Sequence, residues 1–370
     1  MLEHIVRTKP AIQAAVKERL AAYAAEYAAV SGDFGASTAA RLDEFSSRGK
    51  MLRGCLVPFG YELAAGREPA GDDGRATILA GAAMELFQSG LLVHDDIMDR
   101  DRIRRGGPTV HAAYEAELER GRYADPGHNG QSLGICSGDV AFFAAFRILS
   151  ELPVGAEAAR RVVAIAAREL SLVGVAQMQD VANGAIRPGS ENPFRDAPCE
   201  PDEAGVLALY RYKTGRYTFS LPLALGAAIA GADEQTSQAL ERAGESLGVL
   251  FQLKDDELGL FADEDELGKP IGADVREDKK TLLRLYLFAL ASGDERARLE
   301  SMFGNPSAGA AEIEYLRSMA IGLGARERLE AAMRRYAAVA ETQAAIVRAT
   351  TSSARAAFDE LVRYSLERRS

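Results

Sequence analysis

The chain contains no tryptophan and only three cysteines, Cys55, Cys136 and Cys199. An odd, scattered set builds no disulfide framework and fits a reducing compartment. None of the three stands beside another Cys or a His at zinc-ligand spacing, so no zinc site is expected. Long hydrophobic runs are missing as well. The longest uncharged apolar stretch, Thr218–Ala232, covers 15 residues and includes Pro222, short of the ~20 needed to span a bilayer. The opening MLEHIVRTKPAIQAAV has no continuous apolar core and no cleavage pattern, so no secretory signal is read there. A basic excess is also absent. The formal net charge is −10, which argues against a general nucleic-acid surface. Together these absences predict a soluble, cytoplasmic chain without a transmembrane segment.

Strand-like alternation is scarce too, while Ala, Leu, Glu and Arg abound. Nearly every periodic segment reads at the helical period. The expected fold is all-α, one large bundle forming a single domain over residues 1–370. Helices are predicted at 10–30, Ser37–Ser46, Met51–Ala65, Ala76–Val93, Leu133–Ser150, Gly155–Asn183 and Thr236–Phe261, then through most of the chain after Thr281. Residues 119–132 read as a polar loop, and 184–203, with four prolines, as the longest irregular stretch.

Chemistry concentrates in FQSGLLVHDDIMDRDRIRRGGPTVH, Phe87 to His111. Asp95, Asp96 and Asp99 close an apolar helix, and Asp95 and Asp99, four apart, share one face. A helix C-terminus disfavours negative charge, so the acids need compensation. Oxygen-only ligands suit Mg²⁺, which binds through one or two carboxylates plus substrate phosphates. Arg104 and Arg105 are natural phosphate clamps. Alone, the segment reads equally as a solvated acidic turn. A second aspartate pair, FQLKDDELG at 251–259, also ends an apolar helix. Two such helices facing each other would ring a polyanion with metal ions.

The ordered set of motifs resembles the trans-isoprenyl (polyprenyl) diphosphate synthases. Gly49-Lys50 with Arg53 resembles the family's GKxxR phosphate site. Asp95-Asp96-x-x-Asp99 with Arg104-Arg105-Gly106-x-Pro108-x-x-His111 resembles its first aspartate-rich motif. Gly138-Asp139, Gln177-x-x-Asp180, Lys213-Thr214-Gly215 and Phe251-Gln252-x-x-Asp255-Asp256 follow in matching order, then Gly268-Lys269 and Lys279. The chain departs from the pattern at three places. Gly54 stands where Pro usually follows the arginine, Gln88 where many members carry His, and Gly259 at the fifth position of the second motif, with Asp263 one turn further on.

The resemblance implies a bundle of the isoprenoid synthase type, with an active-site cavity between central helices, and a homodimer. It implies head-to-tail condensation of isopentenyl diphosphate with dimethylallyl, geranyl or farnesyl diphosphate. Three Mg²⁺ ions would be held by Asp95, Asp96, Asp99, Asp255 and Asp256. With Arg104, Lys213 and Lys269 they would stabilise the leaving diphosphate, while Thr214 and Gln252 face the allylic cation. Lys50, Arg53 and Arg105, with Gly49 and Gln88, would hold isopentenyl diphosphate; Lys279 is the last lysine site. His94 is read as structural. Neither Leu91 nor Gly90 is aromatic, so the product tunnel is expected to extend past farnesyl to a floor at Phe87, giving geranylgeranyl diphosphate. Longer polyprenyl or farnesyl products stay open, as does a non-catalytic partner subunit. A class I terpene cyclase is disfavoured, because Thr236–Phe261 contains no Asn for that group's late metal motif.

Overall fold

The computed structural model describes residues 2–187, 189–262 and 271–368. It is all-α apart from one two-residue strand pair among those residues. Two compact units divide the chain. The first comprises Met1–Ala166, Pro222–Ser237 and Ala349–Ala354, and the second Ala167–Leu221, Gln238–Arg348 and Arg355–Ser370.

The first unit opens with α1 (Leu2–Val30), α2 (Gly35–Ser47), α3 (Leu52–Ala65) and α4 (Gly71–Met98). The sequence reading starts the first helix at residue 10, where Pro10 stands, but α1 runs through it. The turns before the proline are anchored from outside: His4 Nε2 bonds the Cys55 carbonyl at 2.9 Å. Helix α4 is the axis of this unit. Asp72 and Asp73 in its first turn suit the positive end of the helix dipole, and nearly every residue from Ala76 to Gly90 is buried. It crosses α3 at a glycine pair. A Cβ on Gly81 would lie 2.7 Å from the Gly54 carbonyl oxygen, so larger residues there would push the helices apart.

After α4 comes the hairpin β1 (Ile103–Arg104) and β2 (Gly107–Pro108), then α5 (Val110–Arg120) and α6 (Pro126–Ser150). Arg105 and Gly106, both at positive φ, make the hairpin turn. Arg104 and Arg105 therefore sit on a hairpin rather than on a continued helix. The predicted loop over 119–132 shrinks to a few residues, because Asp125 caps α6 at its N-terminus and Pro126 takes its first position. Polar composition had hidden that helical start.

Helix α7 (Ala156–Gly184) precedes the irregular stretch the sequence predicts. The second unit then holds α8 (Glu203–Leu209) and, directly after it, a π-helix over Tyr210–Ser220. The wider π turn is held by Arg216, whose Nε and Nη2 bond both oxygens of buried Glu169 at 2.8 and 2.7 Å, while Nη1 bonds Glu245 at 2.8 Å. The chain continues through α9 (Leu221–Ile229), α10 (Glu234–Phe261), α11 (Ala273–Arg276), α12 (Leu282–Leu290), α13 (Gly293–Met302), α14 (Ala310–Gly322), α15 (Ala325–Ala344) and α16 (Ser352–Glu367). Against the π-helix, Gly248 comes so close that a Cβ would meet Gly215 Cα at 2.2 Å.

Among the described residues, three helices, Gly71–Met98, Pro126–Ser150 and Ala156–Gly184, are long and apolar enough to cross a membrane by length and composition. Counting only uncharged runs misses them, since isolated charges interrupt each one. The apolar window of α4 is 83% buried within the protein, so its hydropathy serves the core. The other two leave apolar side chains exposed: Ile135 and Phe143 on α6, and Val175, Met178 and Val181 on α7.

Candidate active site

In the first unit the acidic motif ends α4. Asp95 is partly exposed and Asp99 exposed, one turn apart. Asp96 is different. It is fully buried and pairs with Arg104 Nε. Burial raises its carboxyl to about 6 against the pull of that arginine. Asp96, an expected metal ligand, faces inward in this structure and fixes Arg104. The same guanidinium reaches Asp101 at 3.2 Å and Asp95 at 4.0 Å. Arg48 braces the hairpin by donating to the Pro108 carbonyl at 3.3 Å. His111 is buried and bonds Thr109 Oγ1 at 3.2 Å, which in turn donates to the Asp101 carbonyl at 2.9 Å. His94 is engaged by α6. Its Nε2 bonds the Ile135 carbonyl at 3.1 Å, and a Cβ on Gly138 would strike the ring at 2.4 Å. Asp139 lies 3.5 Å from the same nitrogen. The Gly138-Asp139 pair thus seats His94.

A cluster of cations surrounds buried Glu85. The Gly54 N–H donates to Glu85 Oε1 at 2.7 Å. Burial raises the Glu85 carboxyl, while Arg53, Arg105 and Lys9 pull it down. Burial lowers Arg105 from its ordinary value. Its guanidinium lies against Gly49, where a Cβ would meet Nη1 at 2.5 Å. Lys9 Nζ donates to the Gly49 carbonyl at 3.0 Å. The structure therefore brings Gly49, Arg53 and Arg105 together and adds Lys9 and Glu85, which the motif reading passes over. Lys50 is exposed, and Gln88 is buried one turn along α4 from Glu85. The departure at Gly54 has a physical reason: a proline would have no N–H for Glu85.

The second unit holds the other motifs. Lys213 pairs with Asp180, which joins the two motifs that carry them. Thr214 Oγ1 donates to Gln252 Oε1 at 3.1 Å, and Gln252 Nε2 donates to Asp256 Oδ1 at 3.0 Å. Asp256 also accepts from Tyr210, whose oxygen accepts the Leu282 N–H at 3.0 Å. Burial first, then the neighbouring Asp274, raises the Asp256 carboxyl to about 8. Asp256, also an expected metal ligand, is buried in this structure, where it holds Gln252 and through it Thr214. Asp255 remains accessible on the helix surface, its side chain 44% exposed.

At Gly259 a Cβ would lie 2.9 Å from Asp274 Oδ2. The carboxylate of α11 occupies the space beside this glycine, and Lys279 pairs with Asp274 at 3.2 Å and Glu277 at 3.3 Å. Nothing in the local spelling around Gly259 announces Asp274, 15 positions later in the numbering. Gly268, Lys269 and Asp263 lie outside the described residues.

The donor chemistry fits a hard divalent cation. Among the described residues, no three acids, histidines or cysteines converge into a ready-made metal cage. Asp95 with Asp99, and Asp255, instead offer one or two carboxylates each. That suits Mg²⁺, which keeps waters and takes phosphate oxygens for the rest of its shell.

The chain is similar to known proteins over most of its length. Residues 38–320 match the sequence profile described as Polyprenyl synthetase. A geranylgeranyl diphosphate synthase of Sulfolobus acidocaldarius is 34% identical over 286 residues, 77% of this chain and 76% of that protein. A geranylfarnesyl diphosphate synthase of Aeropyrum pernix is 28% identical over 89% of this chain and 93% of its own length. Among solved structures, the geranylgeranyl pyrophosphate synthase of Corynebacterium glutamicum, complexed with isoprenyl diphosphate and magnesium, superposes with a TM-score of 0.81 at 29% identity, covering 97% of this chain and 99% of that one. Family profile, related sequences and fold agree with the ordered motifs: the chain belongs to the polyprenyl synthetase family.

Proposed function

We propose that the protein condenses isopentenyl diphosphate with an allylic diphosphate and that its main product is geranylgeranyl diphosphate. The observation that carries the reading is the coexistence of two kinds of phosphate chemistry in one chain. Accessible carboxylates at Asp95, Asp99 and Asp255 suit a metal-bound diphosphate, and a metal-free cation cluster at Arg53, Arg105 and Lys9 suits a second one.

Asp95, Asp99 and Asp255 are the proposed ligands of three Mg²⁺ ions. The ions, when bound, supply electrophilic stabilisation of the departing diphosphate. Arg104, held by Asp96, and Lys213, held by Asp180, add fixed positive charge for the same leaving group. Thr214 spends its proton on Gln252, which leaves its oxygen lone pairs for the allylic cation. Arg53, Arg105 and Lys9 orient isopentenyl diphosphate, and holding both reactants removes much of the entropic barrier. The last proton goes to the departing diphosphate, so no side-chain base is assigned. The product length rests on Phe87, which is fully buried and packed edge-on against Phe146 at 4.9 Å between ring centroids. A homodimer fits the exposed apolar Ile135 and Phe143 on α6.

The test incubates purified protein with Mg²⁺, labelled isopentenyl diphosphate and, separately, dimethylallyl, geranyl and farnesyl diphosphates, and sizes the products after dephosphorylation. A twenty-carbon product is expected. Arrest at fifteen carbons or a longer ladder overturns the product assignment. Absence of product with every primer overturns the enzyme reading and favours a partner-subunit role.

A further inference from the structure

The last described residue, Arg368, reaches back to α10. Its Nη2 donates to Asp255 Oδ1 and to the Phe251 carbonyl, the latter at 3.1 Å. Its guanidinium lies over the Phe251 ring, 3.8 Å from the centroid. Phe251 and Asp255 are four apart, so ring and carboxylate form one seat on a single face of α10. The seat is well made: the arginine side chain is 8% exposed, while Asp255 stays 44% exposed. The backbone holds the arm in place, with the Arg368 N–H bonded to the Tyr364 carbonyl at 2.9 Å.

A guanidinium and a divalent cation make the same demand on a carboxylate, and each repels the other when close. We infer that Arg368 is a positioning residue that sets the cation affinity of Asp255, as a tethered competitor for the metal. The inference rests on the proposed function, since it takes Asp255 as a metal ligand. While Arg368 is seated, Asp255 is held in one rotamer and its charge is offset. Cation entry displaces the arginine, and by linkage the seated arginine weakens cation binding by the same factor. The aromatic face of Phe251 steadies the arginine in its seat. A lysine can replace the ion pair but makes a poorer fit to the ring and the carbonyl.

The experiment follows the free Mn²⁺ signal by electron paramagnetic resonance, in the presence of inorganic diphosphate. It compares the wild type, Arg368→Gln, Arg368→Lys, Asp255→Asn and the Asp255→Asn/Arg368→Gln double variant. Arg368→Gln is expected to bind Mn²⁺ about fivefold more tightly, the scale of one partly exposed ion pair. Arg368→Lys, which keeps the ion pair but fits the ring less well, should fall between the wild type and Arg368→Gln. In the Asp255→Asn background, Arg368→Gln should change nothing, which a merely structural role would not produce. Unchanged or weaker Mn²⁺ binding in Arg368→Gln overturns the inference, as does a gain that survives in Asp255→Asn or an absence of Mn²⁺ binding in every variant. Product formation by the wild type is scored separately. Turnover without the Mn²⁺ effect rejects the inference alone, and the Mn²⁺ effect without turnover rejects only the prenyl-transfer reading.

Discussion

Gly54 shows how one departure from a motif can be matched by its surroundings. Its N–H lies in the first turn of α3, where a helix leaves donors without intrahelical partners, and here that donor serves buried Glu85. Gly54→Pro should therefore cost about 2 kcal/mol, because it leaves a buried acceptor short and crowds the Gly81 carbonyl; a lower urea midpoint checks it. His4 supplies the pH dependence at this scale. Burial lowers its pKa from 6.5 to about 4. The unfolded chain takes up a proton near 6.5 that the folded chain refuses, so stability is full above that pH and falls as pH drops toward 4, by roughly 3 kcal/mol at most. Urea titrations at about pH 5 and pH 7.5 should show the loss, and His4→Gln should flatten it. The motif residues were legible in the sequence because their chemistry is written in their side-chain types. Lys9, Glu85, Asp274 and Tyr210 were not, because their roles come from neighbours distant in the chain.

At the scale of the element, α4 and the π-helix decide most. Phe87 is buried on α4 against Phe146 of α6. Phe87→Ala should lengthen the product, read as longer prenols after dephosphorylation; an unchanged length would reject Phe87 as the floor. Arg216 fixes the π-helix to Glu169 and Glu245. Burial alone would raise the Glu169 carboxyl, yet Arg216 holds it below its usual range. Arg216→Met leaves that buried carboxylate with Arg168 as its remaining guanidinium partner, so a loss of about 2 kcal/mol is expected, seen as a lower unfolding midpoint. Helical periodicity made α4 and α10 legible, since their apolar spacing runs for many turns. The π-helix was not, because its width is imposed by Arg216 and by the close approach of Gly215 to Gly248. Pro10 misplaced the start of α1 for a similar reason: the contact that holds the first turns comes from α3.

For the whole molecule, the all-α class followed from composition and period, and the family from motif order. The division into two units was not legible, since it depends on which segments far apart in sequence pack together. Apolar exposure on α6 yields a prediction about assembly. If two copies close over Ile135 and Phe143, then Phe143→Glu should lower the mass measured by light scattering toward that of a single chain; unchanged mass would place the contact elsewhere.

The burial of α4 also bears on how the chain is made. This helix has the hydropathy of a membrane span, and α6 packs beside it in the finished unit. On the ribosome the N-terminal helix emerges first. About fifty more residues must follow before all of α6 exists, which takes roughly 3–10 s at ordinary elongation rates. During that interval a segment that looks like lipid-facing protein lacks the cover α6 gives it, with only the earlier α1, α2 and α3 to pack against. Nascent chains stopped between α4 and α6 should accordingly be the ones that targeting factors and holding chaperones capture, and chains that have passed Ser150 should escape them.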